Sequence, residues 1–130
     1  MIVVDTSALM AVILGEAEAD TCIAILESET EVLISAGTMA EAMIVAARRN
    51  VAAEMICLIE GLGFDVVTVT PASARRIAQA YERWGKGVHP AGLNFGDCFA
   101  YVVASEHSCP LLFVGDDFSK TDLRPALQRA

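Results

Sequence analysis

Hydrophobic positions along this chain follow two rhythms. Short, largely apolar runs occur at Ile2-Val3-Val4, Val32-Leu33-Ile34-Ser35 and Leu111-Leu112-Phe113-Val114, with a further one at Val66-Val67-Thr68-Val69. Runs of this length and β-branched content suit strands covered on both faces, as in a parallel sheet. Between them, apolar residues recur at helical spacing: Ala19, Cys22, Ile23 and Leu26; Met39, Met43, Ala46 and Ala47; Met55, Leu58, Ile59 and Leu62. The same spacing returns at Ala74, Ile77, Ala78, Tyr81 and Trp84, and again at Phe95, Cys98, Phe99, Val102 and Val103. Each set forms one apolar helical face.

Polar residues punctuate this pattern. Thr6 and Ser7, directly after Asp5, can cap a helix running from about Ser7 to Leu14 and stopping at Gly15. A second helix is predicted from near Glu16, with Glu16, Glu18 and Asp20 complementing its positive end. Thr38-Met39-Ala40-Glu41 fits a capping box for the helix after the second strand, which ends near Arg48 and Arg49. A further helix spans about Ala52 to Leu62, and Pro71 opens the next. Gly85 to Gly92 reads as a loop, followed by a helix through about His107; the polar tail from Ser119 to Ala130 reads as a turn plus a short helix. Strands alternating with helices predict an α/β fold, with a central parallel sheet of four or five strands and helices on both faces. A length of 130 residues predicts a single domain, 1–130.

Composition narrows the picture. The chain is 55% hydrophobic with mean hydropathy +0.50, which excludes disorder and hints at an apolar surface used for association. A net charge of -8, from 17 acids against nine bases, disfavours broad contact with nucleic acid backbone but suits a cation site or a basic protein partner. Cys22, Cys57, Cys98 and Cys109 show no C-x-x-C spacing and sit in apolar patterns, so buried free thiols in a reducing cytoplasm are expected. No apolar stretch reaches the roughly 20 residues that span a bilayer, so no membrane insertion is expected.

The candidate chemistry lies in acids at element ends. Asp5 follows the first strand, Glu41 lies early in the helix after the second, Asp97 opens the helix before the fourth, and Asp116 and Asp117 follow the fourth. Parallel strands place Asp5, Glu41 and Asp116 at one carboxyl edge; Asp97 joins them only if its helix starts there. Each acid also has a structural reading: Asp5 and Asp97 as helix-end acids, Glu41 as half of its capping box, Asp116 or Asp117 as turn formers. Together they would repel unless a cation or basic partner compensated them, and oxygen ligands of this kind suit Mg²⁺ or Mn²⁺.

The stretches Ile2 to Ala8, Ala40-Glu41, His89 to Tyr101 and Leu111 to Asp122 resemble a PIN domain, and more narrowly a VapC-type toxin ribonuclease of a type II toxin–antitoxin pair. Asn94-Phe95-Gly96-Asp97-Cys98 followed by Gly115-Asp116-Asp117-Phe118 is the most specific part. The resemblance implies a metal-dependent endoribonuclease acting on RNA, a homodimer, and a VapB-type antitoxin that silences it, with a higher toxin–antitoxin assembly open. It matches Asp5, Glu41 and Asp97 to the family's acidic triad and Asp116 to a fourth acid, a role that Asp117 can also fill. Asp5 and Asp97 would hold Mg²⁺ or Mn²⁺ directly, Glu41 and Asp116 through water. Thr6 and Ser7 match small hydroxyl residues near such a site, as orienting groups or as caps, and Asn94 either orients the loop or caps the helix. Arg75, Arg76 and Arg83 form an RNA rim or a solvated helix face. His89 is a general base, a substrate contact or loop structure, and Lys120 a phosphate contact or solvated. Two other classes stay open: a catalytically inactive PIN-fold binding module, and another Mg²⁺-dependent phosphotransfer enzyme.

Overall fold

The computed structural model describes residues 1–127. Its strands are β1 (Ile2–Val4), β2 (Val32–Ser35), β3 (Asp65–Val67) and β4 (Leu111–Leu112), all parallel, in the order β3-β2-β1-β4. The helices are α1 (Thr6–Leu14), α2 (Ala19–Ser28), α3 (Ala36–Arg48), α4 (Ala52–Gly61), α5 (Pro71–Trp84) and α6 (Phe95–His107). Ile2 pairs with Val32, Val3 with Leu33 and Leu111, and Val4 with Leu112. This register sorts side chains between two faces. Val3, Leu33 and Leu111 join Ile77, Trp84, Tyr101 and Val103 of α5 and α6. Ile2, Val4, Val32, Ile34 and Leu112 join Leu9, Leu26, Ala46 and Met55 of α1 to α4. The expected sheet between two helical layers is thus formed, and each fully buried strand side chain contributes about 1.5–3 kcal/mol.

Local boundaries differ from the sequence expectations in instructive ways. Helix α1 starts at Thr6 because Asp5 itself is the cap. Helix α2 starts only at Ala19, because Gly15 turns the chain with φ 64° and leaves Glu16 and Glu18 ahead of the helix. The Thr38–Glu41 capping box does not form: buried Ser35, at the end of β2, caps α3 by accepting from the Gly37 N–H at 3.2 Å. Thr38 is therefore inside the helix and fully buried. Capping boxes occur instead at Thr70/Ser73 and Asn94/Asp97. Strand β3 begins at Asp65 and stops at Val67, since it is an edge strand that pairs only with β2, and β2 ends at Ser35 opposite Val67, where α3 begins.

Strand β4 has only two paired residues with β1, yet its outer edge is not bare. The tail, expected to be a turn plus a short helix, has the turn but then runs alongside β4: the Leu111 N–H donates to the Arg124 carbonyl at 3.0 Å and the Ala126 N–H to the Leu111 carbonyl at 2.9 Å. The predicted tail residues 128–130 lie outside the described residues. Three cysteines are buried as expected, but Cys57 is exposed because α4 buries only the face carrying Met55 and Ile59. Of the expected α5 stripe only Ile77 and Trp84 are buried, Ala74, Ala78 and Tyr81 being exposed, while Ala80, outside the stripe, is buried with them. Tyr81 remains 40% exposed and Phe95 71%, and with Ala74 and Ala78 they line an open groove of about 550 Å³.

A hydrogen-bonded relay, buried at Trp84 and Tyr101 and ending on exposed Asp122, joins α5, α6 and the tail. The Trp84 Nε1–H donates to the Tyr101 hydroxyl at 2.9 Å, which donates to Asp122 Oδ1 at 2.8 Å. Tyr101→Phe leaves the indole N–H without an acceptor, so urea unfolding should show a loss of about 1–3 kcal/mol. An unchanged midpoint would mean the relay contributes no stability.

Candidate active site

Helices α1 and α3 start directly at the carboxyl ends of β1 and β2. Helix α6, a crossover running back toward the start of β4, also starts at that edge, and this satisfies the geometric condition on Asp97. Positive helix ends therefore face the acidic cluster and offset part of its repulsion.

Asp5 is buried, and its N–H donates to the Leu112 carbonyl at 3.0 Å. Its Oδ2 accepts from the Ser7 N–H at 3.1 Å and from the Ser7 hydroxyl at 2.7 Å. The same hydroxyl accepts from the Val114 N–H at 3.0 Å, tying Asp5 to the turn that carries Asp116 and Asp117. Oδ1 of Asp5 is buried without a hydrogen-bond partner. Capping thus occupies one of its two oxygens and leaves the other unused.

Glu41, in the second turn of α3, accepts through Oε1 from the Thr6 hydroxyl at 2.7 Å. Asp97 is buried in the first turn of α6. Its Oδ2 accepts from the Asn94 N–H at 3.0 Å, while Asn94 Oδ1 accepts from the Asp97 N–H at 2.8 Å.

Burial raises two of these carboxyls, and neighbouring charges add to the effect. Burial pushes the Asp5 carboxyl up to about 6; its hydrogen bonds from Ser7 oppose this and the Glu41 charge adds to it. Burial pushes Asp97 up to about 7, opposed by its hydrogen bond from Asn94 and reinforced by the charges of Asp5, Asp117 and Glu41. Asp117, although exposed, thus acts on the cluster. Asp116 is also exposed, and its carbonyl accepts from the Ser119 N–H at 3.2 Å and hydroxyl at 2.7 Å.

Other candidates lie elsewhere. His89 accepts through Nδ1 from the Ala91 N–H at 3.0 Å and stands edge-on to Trp84, so it organises its own loop. Arg76 pairs with Glu106 at 2.8 Å, and Arg83 lies over the Trp84 ring and 3.9 Å from Asp122. Arg75, Lys86 and Lys120 are exposed.

A divalent cation fits this donor set. It consists of carboxylate oxygens alone, it includes a buried orphan oxygen, and burial works against the charged forms of Asp5 and Asp97. Among the described residues no group of three or more His, Cys, Asp or Glu side chains is placed to hold a metal ion, so any cation here would rest on fewer protein ligands. An open site with few protein ligands is the arrangement that Mg²⁺-type ions use.

The PIN domain family model matches residues 2–123. This chain belongs to the PIN domain family, in its VapC branch. Ribonuclease VapC42 of Mycobacterium tuberculosis is 39% identical to it over 128 residues, covering 95% of this chain and 98% of that protein. The crystal structure of Mycobacterium tuberculosis VapC20, described as a Sarcin-Ricin loop cleaving toxin, shares the PIN fold with a TM-score of 0.75 at 20% identity, covering 96% of this chain and 100% of that one. A chain of a toxin–antitoxin complex from Klebsiella pneumoniae shares it with a TM-score of 0.71 at 19% identity, covering 94% of this chain and 93% of that one.

In this PIN domain, sequence order alone located the acids but missed Gly96, against which Glu41 packs. The available signal was a glycine in the first turn of a helix, where alanine is the better former.

Proposed function

We propose that this PIN domain is a metal-dependent endoribonuclease toxin, cleaving RNA phosphodiester bonds and restrained by a VapB-type antitoxin. The orphaned Oδ1 of Asp5 carries the reading. A buried carboxylate oxygen without a partner is costly to a fold, and a bound cation is what compensates it at a site of this chemistry. The ribonuclease names of its relatives and the toxin–antitoxin context of its structural neighbours supply the substrate and the partner.

In this reading Asp5 and Asp97 bind Mg²⁺ or Mn²⁺ directly, and Glu41 and a fourth acid act through water. The cation, when bound, stabilises charge on the phosphoryl oxygens and acidifies a water for attack. The chain's own residues do the positioning. Ser7 occupies Oδ2 of Asp5 and leaves Oδ1 for the cation. Thr6 holds Glu41, and the Asn94 N–H fixes Asp97. Asp116 holds the fourth place by motif; Asp117 is favoured for it because its charge reaches Asp97.

The test is incubation of the purified chain with a mixed RNA pool, in Mg²⁺ or Mn²⁺ and in chelator, beside Asp97→Asn. Cation-dependent cleavage that the variant lacks is the expected result; equal cleavage by the variant would reject the site. In the same assay Asp117→Asn should slow cleavage more than Asp116→Asn, and the opposite order would return the role to Asp116.

The acidic chain suits an antitoxin with a basic segment, through charge complementarity. The exposed groove around Phe95 and Tyr81 is the face proposed for a second copy of this chain, to be checked by its mass in solution. A cytoplasmic location is proposed from the free thiols and the RNA substrate. No described helix is long and apolar enough to cross a membrane.

A further inference from the structure

We infer that Gly96 is a positioning residue for this site: by presenting no side chain, it lets Glu41 close onto the first turn of α6 and serve the same cation as Asp97. The inference rests on the reading above that Glu41 serves the cation.

A methyl group placed on Gly96 would overlap Oε2 of Glu41 and stand 2.6 Å from its Cδ and 3.0 Å from its Oε1. Nothing in the backbone calls for glycine here, because Gly96 is not among the residues with positive φ. At a helical position, alanine is favoured over glycine by about 1 kcal/mol. What the glycine accommodates is therefore the carboxylate of Glu41. That carboxylate is seated from two sides: the Thr6 hydroxyl of α1 holds Oε1, and the bare α-carbon of α6 admits Oε2.

The contact is reciprocal along the crossing of α3 and α6. A methyl group on Gly37, one helical turn before Glu41, would meet the Phe99 ring, one turn after Gly96. Each helix offers a bare position to the other's large side chain. The two differ in what would yield. Phe99 is a partly buried, rigid ring packed against the core and against Phe95. Glu41 is the far end of a flexible chain, so at Gly96→Ala it swings out of its seat. The fold tolerates the change and the site does not.

The test compares Gly96→Ala, Glu41→Gln, Glu41→Asp and the double variant Gly96→Ala/Glu41→Asp. For Gly96→Ala, the melting temperature in chelator should be unchanged or higher, while Mn²⁺ affinity by calorimetry falls roughly 10-fold or more. Its kcat on RNA should fall about 100-fold, the scale of a displacement near 1 Å, with KM within about threefold. The double variant, whose shorter acid leaves room for the methyl group, should bind Mn²⁺ and cleave better than Gly96→Ala alone. A purely structural glycine predicts neither the loss of cation binding nor this rescue.

If Glu41→Gln loses both properties but Gly96→Ala keeps them, the inference fails and the reading of Glu41 stands. If Glu41→Gln keeps both, the reading of Glu41 falls and takes the inference with it. Should Gly96→Ala fail to fold, recovery of folding in the double variant supports the conflict with Glu41; a double variant that also fails to fold overturns it.

Discussion

Asp5→Asn is expected to slow RNA cleavage by about 1,000-fold, the upper range for removing one element of a preorganised electrostatic site, and at the same time to raise the melting temperature of the metal-free protein. The two effects share one cause. Asp5 is held among buried groups with one oxygen satisfied by Ser7 and the other by nothing. Raising its carboxyl from 3.8 to about 6 costs the ionised native state about 3 kcal/mol. Asparagine keeps an oxygen for Ser7 and carries no charge. Its amide lacks an acceptor, which returns part of the gain, so a net rise on the order of 5 °C is expected by calorimetry at pH 8 in chelator. A variant that retains a tenth of the parent activity, or melts below the parent, would sink the proposal that this carboxylate is kept for a cation.

The second large effect is an inverted pH dependence. Both Asp5, at about 6, and Asp97, at about 7, lie above the ordinary 3.8. Between about pH 4 and 7 the native state therefore holds more protons at these groups than the unfolded chain does. Their contribution is neutral below about pH 4, becomes destabilising as pH rises, and is fully unfavourable above about pH 7. The pair titrates jointly, so the fall is one broad transition. Metal-free protein should lose stability in urea between pH 5 and pH 8. Mg²⁺, which binds the ionised carboxylates, should restore about 2.7 kcal/mol at pH 8 when present at a hundredfold excess over its Kd. The control is the double variant Asp5→Asn/Asp97→Asn. Its slope should be nearly flat and its response to Mg²⁺ lost; a slope equal to the parent's would place the pH dependence in other carboxylates.

The sheet was legible in the sequence wherever a strand is buried on both faces. Ile2 to Val4 and Val32 to Ser35 could not have been anything else of that length. Strand β3 was blurred because it lies at the edge, where pairing rather than hydrophobicity decides its limits. The helix after β2 was misplaced by its cap. Ser35 looked like the last strand residue and is that as well as the cap, so the Thr38–Glu41 spacing imitated a box that the helix had already passed. This error concealed what Glu41 does. It does not reach back to its own helix end but across to Thr6, a contact between residues 35 apart. The order of acids was readable because each follows a strand or opens a helix. Their mutual effect was not, since it depends on burial and on crossover geometry. Phe95 matched the apolar stripe of α6 but stands at its first position, exposed beyond the layered core. Periodicity locates a face without saying how far along the helix that face stays covered.

The link from Ser7 to Val114 spans 107 residues. It also sets an order in time. During synthesis the carboxylate at residue 5 is made well before its neighbours at residues 97, 112 and 114. Until then β1 has no partner on the side that β4 will occupy, and the acids that define the cleft are not assembled. Closing so long a loop is a slow, late event in folding. A nascent chain of this protein can therefore carry most of its helices before the proposed centre is assembled, and docking of β4 should complete it in a late step.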